Sequence, residues 1–286
     1  MLAPANANSM SLIRFDSADA YLTVAGPLIA HDVARSVALR AWVEGVKRTS
    51  VPERVFMAIW RSAGSRGVAY QRGDQPVIVG DSAEAACVAF ADLLAEEHPK
   101  LEGVVGKLSA CEAFAQRWRS LTGRAHRLRF HMRDHRLRKL IAPSAVGGSM
   151  RVADANDRNG LLDMHRAFAD EARVAMTPES RDRIVEERLA AGTFRIWNDV
   201  EDVAFAGFVR AGPDAARVAP VYTLPPFRAK GYGAALVGAL CGDLIREGRQ
   251  LFLVTDLSNP TSNALYARLG FEPLEDFYTF DLVEPG

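Results

Sequence analysis

The 286-residue chain holds 35 Lys+Arg against 35 Asp+Glu, with 49% hydrophobic and 24% charged residues, which fits a globular protein and excludes a disordered or fibrous one. Its three scattered cysteines, Cys87, Cys111 and Cys241, give no disulfide framework and read as small apolar fillers in a reducing, cytoplasmic setting. Residues 1–10 lack the basic and apolar regions of a signal peptide. The longest apolar stretch, 234–245, is broken by Gly238, Gly242 and Asp243, so no membrane span is expected.

In the first half, 55–60, 67–71 and 76–79 read as three strands, 82–97 as a helix, 101–106 as a strand and 112–121 as a helix stopped by Thr122-Gly123. Residues 117–139 hold nine Lys/Arg and three histidines but a single acid, Asp134. Leu128, Phe130 and Met132 alternate there with Arg127, Arg129, His131 and Arg133, the pattern of a strand with one solvated face. Aromatic residues suited to base stacking are not interleaved, so this run is read as a strand and not as a nucleic-acid surface. His126, His131 and His135 have no accompanying Cys or carboxylate set, and no metal site is expected.

The uncharged, Pro/Gly-rich run 142–149 marks a linker, dividing the chain into domains 1–148 and 149–286. Charge divides there too: 1–148 carries 20 Lys+Arg and 14 Asp+Glu, net +6, while 149–286 carries 15 and 21, net −6. After the linker come a strand at 150–153 and a helix with Leu161, Leu162, Met164, His165 and Phe168. Thr177-Pro178-Glu179 starts a second helix that stops near Gly192. Strands at 193–197, 203–210 and 218–223 follow, with Trp197 assigned to the core rather than to a pocket. A helix over 234–246 presents Leu236, Val237, Leu240 and Leu244 on one face. A buried strand at 250–255, a helix capped by Asn259 with Pro260 at its first position and Gly270 past its end, and a strand at 277–282 complete the order.

The most informative segment is Arg228-Ala229-Lys230-Gly231-Tyr232-Gly233. It joins the strand ending at Thr223 to a helix N-terminus, where free backbone N–H groups and the helix dipole favour an anion. Gly231 and Gly233 let the backbone approach a phosphate closely, and Arg228 and Lys230 add positive charge. Downstream, Asn259, Ser262, Tyr266, Gly270 and Phe271 keep a second fixed spacing.

These two linked patterns, Q/R-x-x-G-x-G/A and N-x-x-A-x-x-x-Y-x-x-x-G-F, resemble those of the GCN5-related N-acetyltransferases, with Ser262 where alanine is usual. The resemblance covers roughly residues 217–280. It implies an α/β fold with a mixed α+β sheet over 149–286, in the order β-α-α-β-β-β-α-β-α-β. It also implies acetyl-CoA as donor, held by Val221, Tyr222 and Thr223, by Arg228, Ala229, Lys230, Gly231, Tyr232, Gly233 and Ala234, and by Asn259, Ser262 and Asn263. Tyr266 then stands beside the thioester sulfur as general acid. The strand at 217–223 lacks the carboxylate that many members use as base, which leaves Glu171, Asp256 or a water chain. The acceptor is a small-molecule or peptide amine of unspecified identity. The alternatives are a non-catalytic acyl-CoA sensor and a nucleic-acid-associated acetyltransferase.

The first half repeats many of these elements in a similar order and is read as a degenerate, non-catalytic copy of the same α/β fold, a tandem arrangement. Gly80-Asp81-Ser82 stands where the phosphate loop belongs, and Arg119, four before Gly123, stands where Tyr266 stands before Gly270.

Overall fold

Strand alternation sets two cores in each half of the chain. The computed structural model describes residues 10–48, 54–80, 82–174 and 177–284. The first half runs β1 (Ser11–Arg14), α1 (Ala18–Ile29), α2 (Val33–Arg48), β2 (Val55–Ser62), β3 (Ser65–Arg72), β4 (Val77–Gly80), α3 (Glu84–Glu97), β5 (Gly103–Gly106), α4 (Leu108–Thr122) and β6 (Ala125–Leu137). The second runs β7 (Ser149–Val152), α5 (Arg158–Glu171), α6 (Pro178–Ala190), β8 (Phe194–Asn198), β9 (Asp202–Arg210), β10 (Ala215–Thr223), α7 (Tyr232–Arg246), β11 (Gln250–Asp256), α8 (Pro260–Arg268) and β12 (Phe271–Val283). Short 3-10 turns at Ala155–Asp157 and Pro225–Phe227 precede α5 and α7. The two halves repeat one element order. The expected mixed α/β fold is present in both.

On β2, Phe56, Ala58 and Trp60 enter a core with α3 and α4, while Met57 and Ile59 enter another with α1 and α2. On β9, Ala204, Ala206 and Phe208 face α7, whereas Phe205 faces Leu161 and Met164 of α5 and Val185 of α6. Each half is thus a sheet between helix pairs, as a period of two demands when both faces are covered. In the first, β1-β2-β3-β4 pair antiparallel and β4-β5 parallel. In the second, β7-β8-β9-β10 pair antiparallel and β10-β11 parallel.

The compact units do not follow the linear cut at 148/149. The first takes the described residues up to Asp134, with Asp256–Ser258 and those from Glu275 onward; the second takes His135–Thr255 and Asn259–Leu274. The 142–149 run joins β6 to β7, but composition reports the flexibility of a connection, not which strands pair. Tyr278–Asp281 of β12 pair with Gly103–Gly106 of β5 inside the first unit. In the second, Ile141 N–H donates to the Leu269 carbonyl and Arg138 N–H to the Gly270 carbonyl.

β1, α1 and α2 are additions to the elements that periodicity predicts. β12 begins at Phe271, six residues before the expected 277, and Glu272, Pro273 and Leu274 after it are exposed. Asp81 and residues 1–9 lie outside the described residues. Much of the basic run is paired locally: Arg127 and Arg129 pair with Asp281, His131 and Arg133 with Asp276, Arg138 with Glu272, and Arg117 with Asp92. Cys87, Cys111 and Cys241 are free and buried, with burial pushing each thiol up to about 12. Among the described residues, no helix is long and apolar enough to cross a membrane.

Candidate active site

The site begins where two parallel strands stop pairing. β10 matches β11 over Ala215–Arg217 and Gln250–Phe252, then runs on to Thr223. Between Val218 and Val221 its register against β9 shifts. The Ala219 carbonyl, at this irregularity, accepts a hydrogen bond from the Arg188 guanidinium of α6. Gly207 on β9 leaves the room: a Cβ there would lie 3.1 Å from the Ala219 oxygen and 2.9 Å from the Phe194 ring. Arg188 also lies 5.7 Å from the Phe194 ring centroid, and burial draws its guanidinium down to about 10. The β10 backbone beyond the shift is therefore held from α6 and β9 while its other edge is released.

The turn after β10 is shaped for close approach. Ala229 has φ 60° and Gly231, the N-cap of α7, has φ 91°. A Cβ at Gly231 would lie 2.9 Å from Val146 Cγ1, and one at Gly233 would lie 3.1 Å from Thr223 Oγ1. No side chain caps α7, so its first N–H groups point outward with the positive end of a 15-residue dipole.

A cleft of roughly 610 Å³ opens here, lined entirely from the second unit. Of the residues expected from sequence, Val221, Tyr222, Thr223, Arg228, Ala229, Gly231, Tyr232, Gly233, Ala234, Asn259, Ser262, Tyr266 and Glu171 line it. Lys230 and Asn263 do not. The Lys230 ammonium sits 5.3 Å from the Phe227 ring, and Asn263 is tied by its backbone N–H to the Asn259 carbonyl at 3.2 Å. Asp256 also lies outside the lining and groups with the first unit, where its Oδ1 accepts from Ser258 N–H at 2.8 Å. Trp197 lies away from this cleft, its indole N–H donating to the Gly147 carbonyl at 2.9 Å.

Two of the cleft's charges are paired with each other. Arg228 Nη2 lies 2.8 Å from both Glu171 oxygens, and the Tyr222 hydroxyl donates to Glu171 Oε1 at 2.8 Å. Arg228 therefore holds the Glu171 carboxyl below the usual carboxylate range, with Tyr222 adding to the effect. Asn259 caps α8 by accepting from Ser262 N–H at 3.0 Å. Tyr266 stands on α8 with its ring edge-on to Phe271, centroids 5.8 Å apart. Burial, and more weakly Cys241, push its phenol above the ordinary value. A phenol in that state is a held proton at neutral pH. The Tyr232 hydroxyl donates to Asp199 Oδ2 at 2.6 Å, which fixes the first residue of α7.

Sequence reasoning missed Phe168, Ala172, Phe227, Thr261, Leu265 and Arg268 in the lining. Phe168 and Ala172 flank Glu171 at helical spacing, so the period of α5 was the available signal. Arg188 carries no local signal, because its partner lies 31 positions away.

Residues 204–279 match the family model described as FR47-like protein. No curated protein matches the chain. Among solved structures, a GCN5-related N-acetyltransferase from Sphaerobacter thermophilus is 14% identical, with a TM-score of 0.63, covering 97% of this chain and 96% of its own. A tandem GNAT protein from the clavulanic acid biosynthesis pathway, determined without AcCoA, is 14% identical with a TM-score of 0.58 over 97% and 99%. A GNAT-family acetyltransferase from Colwellia psychrerythraea is 10% identical with a TM-score of 0.56 over 95% and 99%. The chain thus has the fold of the GCN5-related N-acetyltransferase superfamily over the 95–97% of its length that these structures cover, with the family-model match confined to the second half.

Proposed function

We propose that the chain is an acetyl-CoA-dependent N-acetyltransferase acting through the second unit alone. The observation that carries this reading is the parting of β10 from β11 directly ahead of an uncapped, glycine-started helix. That geometry suits a long ligand with a phosphate at one end. The N–H groups of Gly231, Tyr232 and Gly233 would hold the pyrophosphate, and the free backbone of Val221 and Thr223 would pair with the pantetheine arm. The donor supplies the activated acetyl group. A backbone N–H at the splay polarises its carbonyl, and the Tyr266 hydroxyl gives its proton to the departing sulfur.

Among the described residues of the lining, Glu171 is the one carboxylate. Held low by Arg228, it is a weak base for an ammonium of ordinary pKa about 10.4. Its contribution is then negative charge beside the acceptor, with water accepting the proton. The acceptor is an amine, small or peptidic. The same Glu171–Arg228 pairing favours one rival, an acyl-CoA-binding module without turnover, because it leaves the lining with no unpaired carboxylate.

Calorimetric titration of the full chain with acetyl-CoA, followed by thiol release over a panel of amines, tests both. Binding with turnover on any amine supports the enzyme. Binding without turnover supports the module, and no binding removes both.

A further inference from the structure

Arg228 opens the turn into α7, where a cation is expected to meet donor phosphate, yet its guanidinium is engaged elsewhere. Nη2 contacts both oxygens of Glu171, Nε donates to the Thr223 carbonyl at 3.0 Å, and the group lies over the Tyr222 ring, 5.2 Å from its centroid. Tyr222 in turn donates to Glu171. The two charged side chains are 44% and 49% exposed, so solvent reaches the pair and screens its attraction. An exposed ion pair is a weak bond. A pyrophosphate gathered by the α7 N-terminus carries more charge and backbone donors of its own, and so competes well for the same guanidinium.

When Arg228 turns toward phosphate, Glu171 keeps the Tyr222 hydroxyl but loses its counter-charge. A net negative group then lines the cleft together with Phe168, Ala172 and Tyr222. An ammonium on an apolar stem matches that chemistry.

We propose that Glu171 and donor phosphate compete for Arg228, so that donor binding converts Glu171 and Tyr222 into the recognition site for a cationic amine with an apolar stem. This rests on the reading of the cleft as an acyl-CoA site. Donor and acceptor binding are therefore coupled through Arg228, and Glu171 is a specificity-determining residue.

The test is a double-mutant cycle on the full chain, with CoA affinity measured calorimetrically. Glu171→Gln should tighten CoA about two- to five-fold, the size expected for removing an exposed competing ion. Arg228→Gln should weaken CoA, and adding Glu171→Gln to it should change nothing further. Phenethylamine, used as the cationic probe, should bind several-fold more tightly with CoA present than without, and Glu171→Gln should remove that difference. Unchanged or weaker CoA binding by Glu171→Gln overturns the competition, as does the same tightening in the Arg228→Gln background. An amine that does not bind, or binds equally with and without CoA, overturns the acceptor assignment. If the unaltered chain binds no CoA at all, the function reading itself falls and this inference with it.

Discussion

Between β4 and α3 the first unit uses three residues, 81–83; between β10 and α7 the second uses eight, 224–231. In the first unit the parallel pairing of β4 with β5 continues to Gly80, the last residue of β4. Ser82 accepts from Val68 N–H at 3.0 Å and donates to the Val79 carbonyl, while Ala83 N–H is taken by the Arg66 carbonyl at 3.0 Å. The α3 helix presses so closely on β3 that a Cβ on Gly67 would sit 2.3 Å from Ala86 Cβ. In the second unit the strands part, the turn is long, and the helix start keeps its donors. Two sheets with one element order thus differ most at this connection, three residues against eight. The proposed anion site belongs to that connection and to the parting of the strands, not to the fold as such.

The largest expected difference between the copies lies in their last helices. Tyr266→Phe should lower turnover by about 10²- to 10⁴-fold with little change in the donor's KM, the range for losing a general acid. Arg119→Ala, at the matching place on α4, should leave turnover unchanged. Equal effects of the two, measured by thiol release, would sink the assignment of roles. Next comes donor binding: Gly231→Asp with Gly233→Asp should cut CoA affinity by about 100-fold, since each adds a Cβ and a negative charge to an anion site. Calorimetry should also return one CoA per chain; two would mean that the first unit binds donor after all.

A smaller effect is expected from Gly67→Ala, which forces a methyl onto Ala86 and should destabilise the chain by about 1–3 kcal/mol. Thermal unfolding reads the loss, and CoA affinity should not follow it. The smallest effect concerns pH. His165 is buried beside Phe168 and Phe205, and burial, then Arg188 and Arg181, bring its imidazole down to about 4. Below pH 6.5 the unfolded chain takes up this proton and the folded chain does not, until about pH 4. Stability should therefore fall with acidification between these values and be flat in this contribution below them. Urea unfolding of His165→Leu across that window should show a shallower slope; an identical slope would remove His165 as the cause.

The second half was legible because its signals are local. Thr177 with Pro178 and Asn259 with Pro260 announce helix starts, and both side-chain caps are formed. Alternating runs gave the strands. Residues 11–48 were not legible: α1 is apolar on most faces and holds Pro27 inside it, and α2 lacks an acidic first turn. The front of β12 was lost because Glu272, Pro273 and Leu274 are exposed and read as loop. At the site, the two spacing patterns located the glycine turn and α8. The pairing of Glu171 with Arg228 spans 57 positions, and no local pattern encodes it. Asp256 stands outside the lining, its Oδ1 accepting from the Ser258 N–H, a placement that its position at a strand end did not announce.

The pairing of Tyr278–Asp281 with Gly103–Gly106 also bears on how the chain is made. A ribosome delivers β5 long before β12, since synthesis runs at some 5–20 residues per second and in one direction. Until residues 278–281 emerge, the β5 edge has only β4 beside it, and an unpaired edge is where wrong strands attach. The unit made first is therefore the one that must wait. Translation halted after Leu274 would spare the glycine turn and α8 yet leave the opposite end of the polypeptide without one of its strands.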